Sequence, residues 1–280
     1  MVHINKPIDN VKEVFETCIS NYSDESFKNR LNSATNFIEI SAINYDNQAT
    51  TNNLNSISMS NNVNNIITED EMKKVYNDKL VKKGQPGRIY YEKLRLSAKN
   101  NICPLCNQRT VTTLDHVLPK SLYPTFAVTP FNLIPACADC NKIKDRYQPS
   151  MPKEEIIHPY YDDISNKQYL FALIEQTSPP SISFYIKQST PLKIIEQRLE
   201  KHFSLFGLNE LYASNAAEEL SNICFRLGKL YSTGGRQSVI DYLKDEFESR
   251  YENNKNSWQT AMYEVLYQNI WFCDGGFRID

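Results

Sequence analysis

Two Cys-x-x-Cys pairs constrain this chain more than any other feature of its sequence. The pairs are Cys103/Cys106 and Cys137/Cys140, and 30 residues separate them. Together they offer four thiolates, the ligand set that closes a tetrahedral structural zinc site. A redox protein would need only one such pair, so two pairs favour zinc over disulfide chemistry. Because the spacer is longer than is usual in zinc ribbons, we expect further structure between the two knuckles.

The spacer itself predicts a small strand, loop, strand and helix arrangement. The stretch "VTTLDH" is typical of a short strand, and "FNLIPAC" returns as a second strand to the second knuckle. The stretch "ADCNKIKDR" then predicts a helix that begins at this knuckle. Held at both ends by one zinc, this scaffold would bring four polar residues close together: Asp115, His116, Asn132 and Asn141. An isolated Asp-His pair is usually a surface pair, but within this scaffold it becomes a candidate for catalysis.

The segment from Cys103 to about Asp145 resembles the HNH, or ββα-metal, nuclease family, in the variant braced by a four-cysteine zinc. The matching elements are Asp115-His116, Asn132-Leu133 and Cys137-x-x-Cys140-Asn141-x-x-Lys144. One position departs from the commonest pattern, since Asn141 stands where many members have histidine. Amide oxygen and imidazole nitrogen can both ligate a divalent metal, so the departure is compatible with the family.

The resemblance implies a role for each residue of the motif. His116 would be the general base that takes a proton from water, a task that suits a pKa near neutrality. Asp115 and Asn141 would hold one Mg²⁺ or Mn²⁺ against the scissile phosphate. Asn132 would hydrogen-bond the backbone and fix the pose of His116. Two further residues would contact phosphate, namely Lys120 and Lys144.

The implied function is metal-dependent hydrolysis of phosphodiester bonds in nucleic acid, with DNA as the expected substrate. The wider arrangement, with "GRIYYEKLRLSAKNNICPLC" before the motif and "IIHPYYDD" after it, resembles HNH proteins of bacterial phage-defence systems. Some of these, of the Septu kind, work beside an ABC-type ATPase, so such a partner is expected here. The alternative is a non-catalytic zinc module that binds nucleic acid or a protein partner. That alternative is less favoured, because zinc bracing requires neither the Asp-His pair nor Asn141.

Charge adds a weaker indication of nucleic-acid binding. The net charge is −2 and the pI is near 6.1, which alone would not suggest such a protein. However, nine basic residues and two acidic ones lie between Lys73 and Lys99. We expect this basic strip to contact phosphate, the alternative being a solvated helix face.

The rest of the chain predicts a mainly α protein, α+β overall, around a small central zinc-braced ββα-metal module. We expect a helical region over 1–100 with an Asn-rich loop or poorly ordered insert near 46–66, the nuclease module over 101–150, and a mainly helical region over 151–280 with a short hairpin. Thr68 and Glu71 predict a capping box, and "STGGR" predicts a break between two late helices. No apolar run reaches signal-peptide or membrane-spanning length, so we expect a cytoplasmic protein without a membrane partner.

Overall fold

A computed structural model describes residues 1–278 and divides the chain into two compact units. One unit is Val2–Asp163, and the other runs from Ile164 onward with Met1 added. Nine α-helices and three two-stranded antiparallel sheets lie within the described residues, which confirms the prediction of a mainly α fold with little β-structure. The three-part division made from the sequence follows motif boundaries and stays a prediction.

Three amphipathic helices open the first unit: α1 (Val11–Ile19), α2 (Glu25–Ser33) and α3 (Thr35–Thr50). Each of the first two begins at a side-chain cap. The Asn10 side chain accepts hydrogen bonds from the backbone of α1, and the Asp24 side chain does the same for α2. Cys18 is fully buried on the inner face of α1, so it is a core residue as its helical spacing predicts.

The Asn-rich segment near 46–66 consists largely of turns and irregular structure between short regular elements. Helix α3 continues to Thr50, and β1 (Asn62–Val63) pairs with β2 (Ile67–Thr68) farther along. Two of the three residues of the turn between these strands, Asn64 and Asn65, have φ of 51° and 57°. Asparagine tolerates this left-handed conformation better than most residues, so the Asn-rich composition supports a tight turn.

The next segment delivers the chain to the first knuckle. Helix α4 (Glu69–Lys74) begins with the predicted capping box of Thr68 and Glu71, and its last turns widen into a π-helix over Val75–Val81. Helix α5 (Arg88–Arg95) follows. Single π-helical turns are rare and often mark functional sites, because the extra residue turns side chains away from the regular helical positions.

The two knuckles flank the predicted strand, strand and helix. Strand β3 (Thr113–His116) pairs antiparallel with β4 (Leu133–Ala136), which places Asp115 opposite Ile134 and His116 opposite Leu133. Helix α6 (Ala138–Lys144) begins directly after Cys137 and ends at Asp145, whose φ is 40°. Both strands are buried along almost their whole length. The polar pair on β3 is therefore held by a short but well-packed sheet.

The second unit is a helical assembly that carries the predicted hairpin. Strand β5 (Leu170–Glu175) pairs with β6 (Ser181–Ile186), and α7 (Ile194–Leu205), α8 (Leu208–Asn253) and α9 (Trp258–Gln268) follow. The predicted break at "STGGR" lies at Gly235, whose φ of 64° and ψ of −162° are not helical. Helix α8 therefore consists of two helices joined by a kink at this glycine, as the sequence predicts. None of the helices described is both long and apolar enough to span a bilayer.

Candidate functional site

The four cysteines of the two knuckles form one buried cluster. Their sulfur atoms all lie within 4.8 Å of one another, and the Sγ atoms of Cys106 and Cys137 are 4.0 Å apart. Tetrahedral zinc with Zn–S bonds of about 2.3 Å requires sulfur atoms about 3.8 Å apart, so the cluster has the size that zinc needs. The four cysteines are thus positioned to bind a metal ion, and their thiolate chemistry fits zinc.

Backbone and side-chain contacts hold the knuckles in this arrangement. The backbone N–H groups of Arg109 and Cys140 each donate to a cysteine sulfur, Cys106 Sγ and Cys137 Sγ, at 3.4 Å. The Arg109 guanidinium also pairs with Asp139 at 2.9 Å, which links the first knuckle to α6. Hydrogen bonds of this kind stabilise thiolate charge, as expected around a bound cation.

A cavity of about 620 Å³ opens beside the cysteine cluster, between β3, α6 and the π-helical turn. Asp115, His116, Lys120 and Asn141 all line it, so the structure brings these four predicted residues together. The wall also includes Lys73, which belongs to the basic strip predicted from the sequence. Further polar residues of the wall that were not predicted include Tyr76, Asn77, Lys142, Asp145 and Arg146.

His116 is held as a neutral imidazole with a defined tautomer. Its Nε2 lies 2.9 Å from the backbone oxygen of Ala127, which can only accept, so Nε2 carries the proton and Nδ1 keeps a lone pair. The ring packs edge-on against Tyr76, with 4.5 Å between ring centroids. Burial, together with the nearby Lys120 ammonium, lowers the pKa of His116 to about 3. The imidazole is therefore available as a proton acceptor at neutral pH.

Asp115 is a buried carboxylate with one unsatisfied oxygen. Its Oδ2 is inaccessible to solvent and has no hydrogen-bond donor within the described residues. The closest positive charge is Lys144 Nζ, 3.6 Å away. Burial raises the pKa of Asp115 above its ordinary value, although the Lys144 charge acts in the opposite direction. Such a carboxylate is a ready ligand for a hard divalent cation, because a cation would compensate for the lost hydration.

Asn132 lies behind the cavity and braces the long loop between β3 and β4. It is fully buried, and its Oδ1 accepts from the Leu118 backbone N–H at 2.8 Å. Its Nδ2 donates to the backbone oxygens of Leu118 and Phe126, each at 3.1 Å. Phe126 directly precedes Ala127, whose carbonyl oxygen accepts a hydrogen bond from His116 Nε2. The hydrogen bonds of Asn132 therefore position His116 through this loop.

The two predicted phosphate-binding lysines take different positions. Lys120 lines the cavity, where its ammonium stands 5.0 Å from the Tyr76 ring centroid and burial lowers its pKa. Lys144 is buried instead, with none of its side chain exposed, and its Nζ donates to the His116 backbone oxygen. A phosphate in the cavity would meet Lys120, Lys142 or Arg146 rather than Lys144.

The basic strip also differs from its prediction, because many of its charges are paired. Lys73 pairs with Glu69 and Asp70, and Lys93 pairs with Asp9. Arg88 and Arg95 share Glu92. Lys73 lines the cavity, whereas Lys82 and Lys83 do not. The available signal for the cations that do reach the cavity was their position in the sequence, since Lys142 directly follows Asn141 and Arg146 comes just after the end of α6.

Comparison with known proteins identifies two relatives. No family model matches the sequence, and no solved structure matches it. Protein ea31 of Escherichia phage lambda is 30% identical over 216 residues, which are 71% of this chain and 72% of the lambda protein. The chain belongs to the ea31 family. Septu protein PtuB of Bacillus thuringiensis is 34% identical over 90 residues, 30% of this chain and 34% of PtuB, so that similarity spans about a third of each protein.

Proposed function

We propose that this member of the ea31 family is a metal-dependent HNH endonuclease that hydrolyses phosphodiester bonds in nucleic acid, with DNA as the expected substrate. One observation carries the proposal. A neutral histidine with a free Nδ1 and a buried carboxylate with an unsatisfied oxygen stand side by side at a cavity, and a four-cysteine cluster braces the same two strands. A protein that only bound zinc would not need this second set of buried polar groups.

His116 is the proposed general base. The Ala127 carbonyl holds the Nε2 proton, so Nδ1 can accept a proton from a water that attacks phosphorus. Its depressed pKa keeps the ring neutral before the reaction, and a bound phosphate would stabilise the imidazolium that forms. The packing of Tyr76 against the ring limits its rotation, so the base meets the cavity in one orientation.

Asp115 and Asn141 are the proposed ligands of one Mg²⁺ or Mn²⁺. Both line the cavity, and carboxylate and amide oxygens are the donors that these hard ions prefer. When bound, the ion would supply Lewis-acid stabilisation of the charge that develops on the phosphate and its leaving 3′ oxygen. Zinc is the proposed ion of the cysteine cluster, where its role is structural.

Substrate affinity is assigned to the cations of the cavity wall. Lys120, Lys142 and Arg146 form no ion pair with another described residue, so their charges remain available to phosphate groups. Lys120 comes from the β3–β4 loop, Lys142 from α6, and Arg146 from the residues just after α6. A negatively charged backbone in the cavity would therefore meet positive charge from more than one segment of the wall.

A place in bacterial phage defence, beside an ABC-type ATPase, extends this proposal. It is supported by the matched segment of Septu protein PtuB and by the flanking stretches of the sequence. The name of the lambda protein carries no statement about activity, so it does not bear on this extension.

The test is cleavage by purified, zinc-loaded protein with Mg²⁺ or Mn²⁺. Supercoiled plasmid, single-stranded DNA and cellular RNA are incubated in parallel with the wild-type protein and with His116→Ala. We expect wild-type protein to cut at least one of these substrates and His116→Ala to cut it at least about a hundredfold more slowly, the usual scale for losing a general base. Binding without cleavage by both proteins would instead support the non-catalytic zinc module.

A further inference from the structure

Lys144 is a buried ammonium group that the proposed chemistry does not use directly. It lies on the last turn of α6, and its side chain is fully shielded from solvent. Burying an ammonium is costly unless it is paired, so its partners indicate what it does. Those partners are the Asp115 carboxylate and the His116 backbone oxygen, the two adjacent residues that carry the proposed catalysis.

We propose that Lys144 is a positioning residue that holds the Asp115 carboxylate in the pose in which it would ligate the proposed catalytic metal ion. This inference rests on the proposed function, because it concerns the same site. Lys144 Nζ lies 3.6 Å from Asp115 Oδ2, the oxygen that has no hydrogen-bond donor among the described residues. At this distance the ammonium can attract the oxygen and still leave it free to bind a cation.

The second contact of Lys144 fixes the strand as well as the side chain. Its Nζ donates to the backbone oxygen of His116, at the end of β3. One charged group thus ties the carboxylate of Asp115 to the backbone that carries the base. Because α6 begins at two cysteines of the metal cluster, the cluster sets where Lys144 stands. Lys144 thereby links the helix that carries two of the cysteines to Asp115, the proposed ligand of the catalytic metal ion.

Two possible roles of Lys144 predict opposite changes in metal affinity when the lysine is replaced, so metal binding separates this proposal from its main alternative. As a simple positive charge, Lys144 would repel a divalent ion, and removing it would tighten metal binding. As a positioning residue, it would be needed for the correct pose of Asp115, and removing it would weaken binding. Loss of residues that orient metal ligands typically costs tenfold to a hundredfold in metal affinity.

The experiment measures Mn²⁺ binding by the electron paramagnetic resonance signal of free Mn²⁺, using zinc-loaded protein without nucleic acid. Wild type is compared with Lys144→Met, which keeps the length of the side chain, and with Lys142→Met. The control removes the same charge from the same helix, at a residue that lines the cavity without pairing with Asp115. We expect Lys144→Met to weaken Mn²⁺ binding at least tenfold and Lys142→Met to change it by less than twofold or to tighten it. Unchanged or tighter binding by Lys144→Met would overturn the proposal.

A stability measurement keeps the proposal testable if Lys144→Met is poorly folded or if the wild-type protein binds no Mn²⁺. Thermal midpoints are measured for wild type, Asp115→Asn, Lys144→Met and the double variant. If the ammonium serves Asp115, the double variant recovers at least half of the midpoint lost by Lys144→Met, or folds where the single variant does not. Additive losses, or a double variant as unfolded as the single, would contradict the pairing. Absence of Mn²⁺ binding in wild type, together with strong coupling, would count against the proposed function alone.

Discussion

The cysteine cluster and the cavity beside β3 differ in how completely the protein satisfies its own polar groups. On the cysteine side, four thiolates lie close enough to complete one tetrahedral site, and backbone N–H groups donate to two of the sulfurs. On the cavity side, Asp115 keeps an oxygen without a donor and His116 keeps a free nitrogen, although both residues are buried. The closed site provides stability, and the incomplete one provides the groups that a substrate and a second cation would satisfy.

Removing one cysteine should have the largest effect of any change to this pair of sites. We expect Cys137→Ser to lose the metal and to unfold the segment between the knuckles, since structural zinc supplies on the order of 10 kcal/mol in small zinc domains. Metal analysis by mass spectrometry and hydrogen exchange over residues 103–145 measure the two effects. Cys224→Ser, at a half-buried cysteine outside the cluster, should keep the full metal content. A metal-free Cys137→Ser protein with native exchange protection would show that the cluster is not structural.

Removing the brace of the loop should have the next largest effect. Asn132→Ala leaves the buried backbone N–H and C=O of Leu118 without these partners, whereas the Phe126 carbonyl still accepts from the Thr129 N–H, so the expected cost is about 2 kcal/mol in the free energy of unfolding. Denaturant unfolding measures this cost, and a fall in cleavage is expected with it because His116 loses its support. Thr129→Val is the matched control, since the Thr129 hydroxyl is buried in the same loop without a hydrogen-bond partner in the described structure. Equal free energies of unfolding for Asn132→Ala and wild type would show that Asn132 does not stabilise this loop.

Lowering the pH should decrease the free energy of unfolding of the protein, because His116 is buried as a neutral imidazole. The folded pKa of about 3 lies below the value of about 6.5 in the unfolded chain, so between these values the unfolded state binds the extra proton. Stability is therefore lost as the pH falls below about 6.5, by about 1.4 kcal/mol at pH 5.5. The His116→Gln variant lacks this titrating imidazole. Between pH 7.5 and 5.5 its free energy of unfolding should therefore fall by about 1.4 kcal/mol less than that of wild type. Both proteins are measured without added Mg²⁺ or Mn²⁺, and an equal fall in the two proteins would show that His116 titrates normally.

The cations of the cavity should have the smallest effect per residue. Each phosphate contact contributes about 0.9 to the slope of log affinity against log salt, which amounts to about fivefold in affinity at 0.15 M salt. Replacing Lys120 and Arg146 together by glutamine should lower the slope by about 1.8. The pair Lys82→Gln and Lys83→Gln, from the basic strip but outside the cavity, should lower it less. If Lys82→Gln and Lys83→Gln lower the slope more than the cavity pair does, the prediction that the basic strip contacts phosphate would be favoured.

The sequence predicts the ββα segment well because two fixed points bracket it. With the cysteine pairs as anchors, the predicted strands and helix are present, and Asp115, His116 and Asn141 line one cavity, whereas their roles stay predictions. Lys144 could not be placed in the same way, because a lysine one turn beyond a metal ligand can face phosphate or the interior. Tyr76 carried no signal either, since the π-helix that aims it at His116 depends on tertiary packing.

Elsewhere, local backbone preference marks where the regular elements are interrupted. The Asn-rich segment was predicted to be a loop or poorly ordered insert, and the part between α3 and β1 is largely irregular, with asparagine at two left-handed positions of the β1–β2 turn. The "STGGR" stretch was predicted to break two late helices, and Gly235 makes that break with φ 64° and ψ −162°. Glycine adopts such a conformation without the steric penalty that a side chain would add.

The proposed function assigns the base and the metal ligand to two neighbouring residues, and chemical rescue tests this assignment most directly. His116→Ala and Asp115→Ala are assayed for cleavage with and without imidazole, after both are shown to keep their zinc and fold. Imidazole in solution should restore part of the activity of His116→Ala, because it can replace a missing base. It should not restore Asp115→Ala, whose missing oxygen ligand imidazole replaces poorly on Mg²⁺. If folded His116→Ala cleaves nucleic acid at the wild-type rate, or if imidazole rescues both variants equally, the assignment of base and metal ligand is wrong.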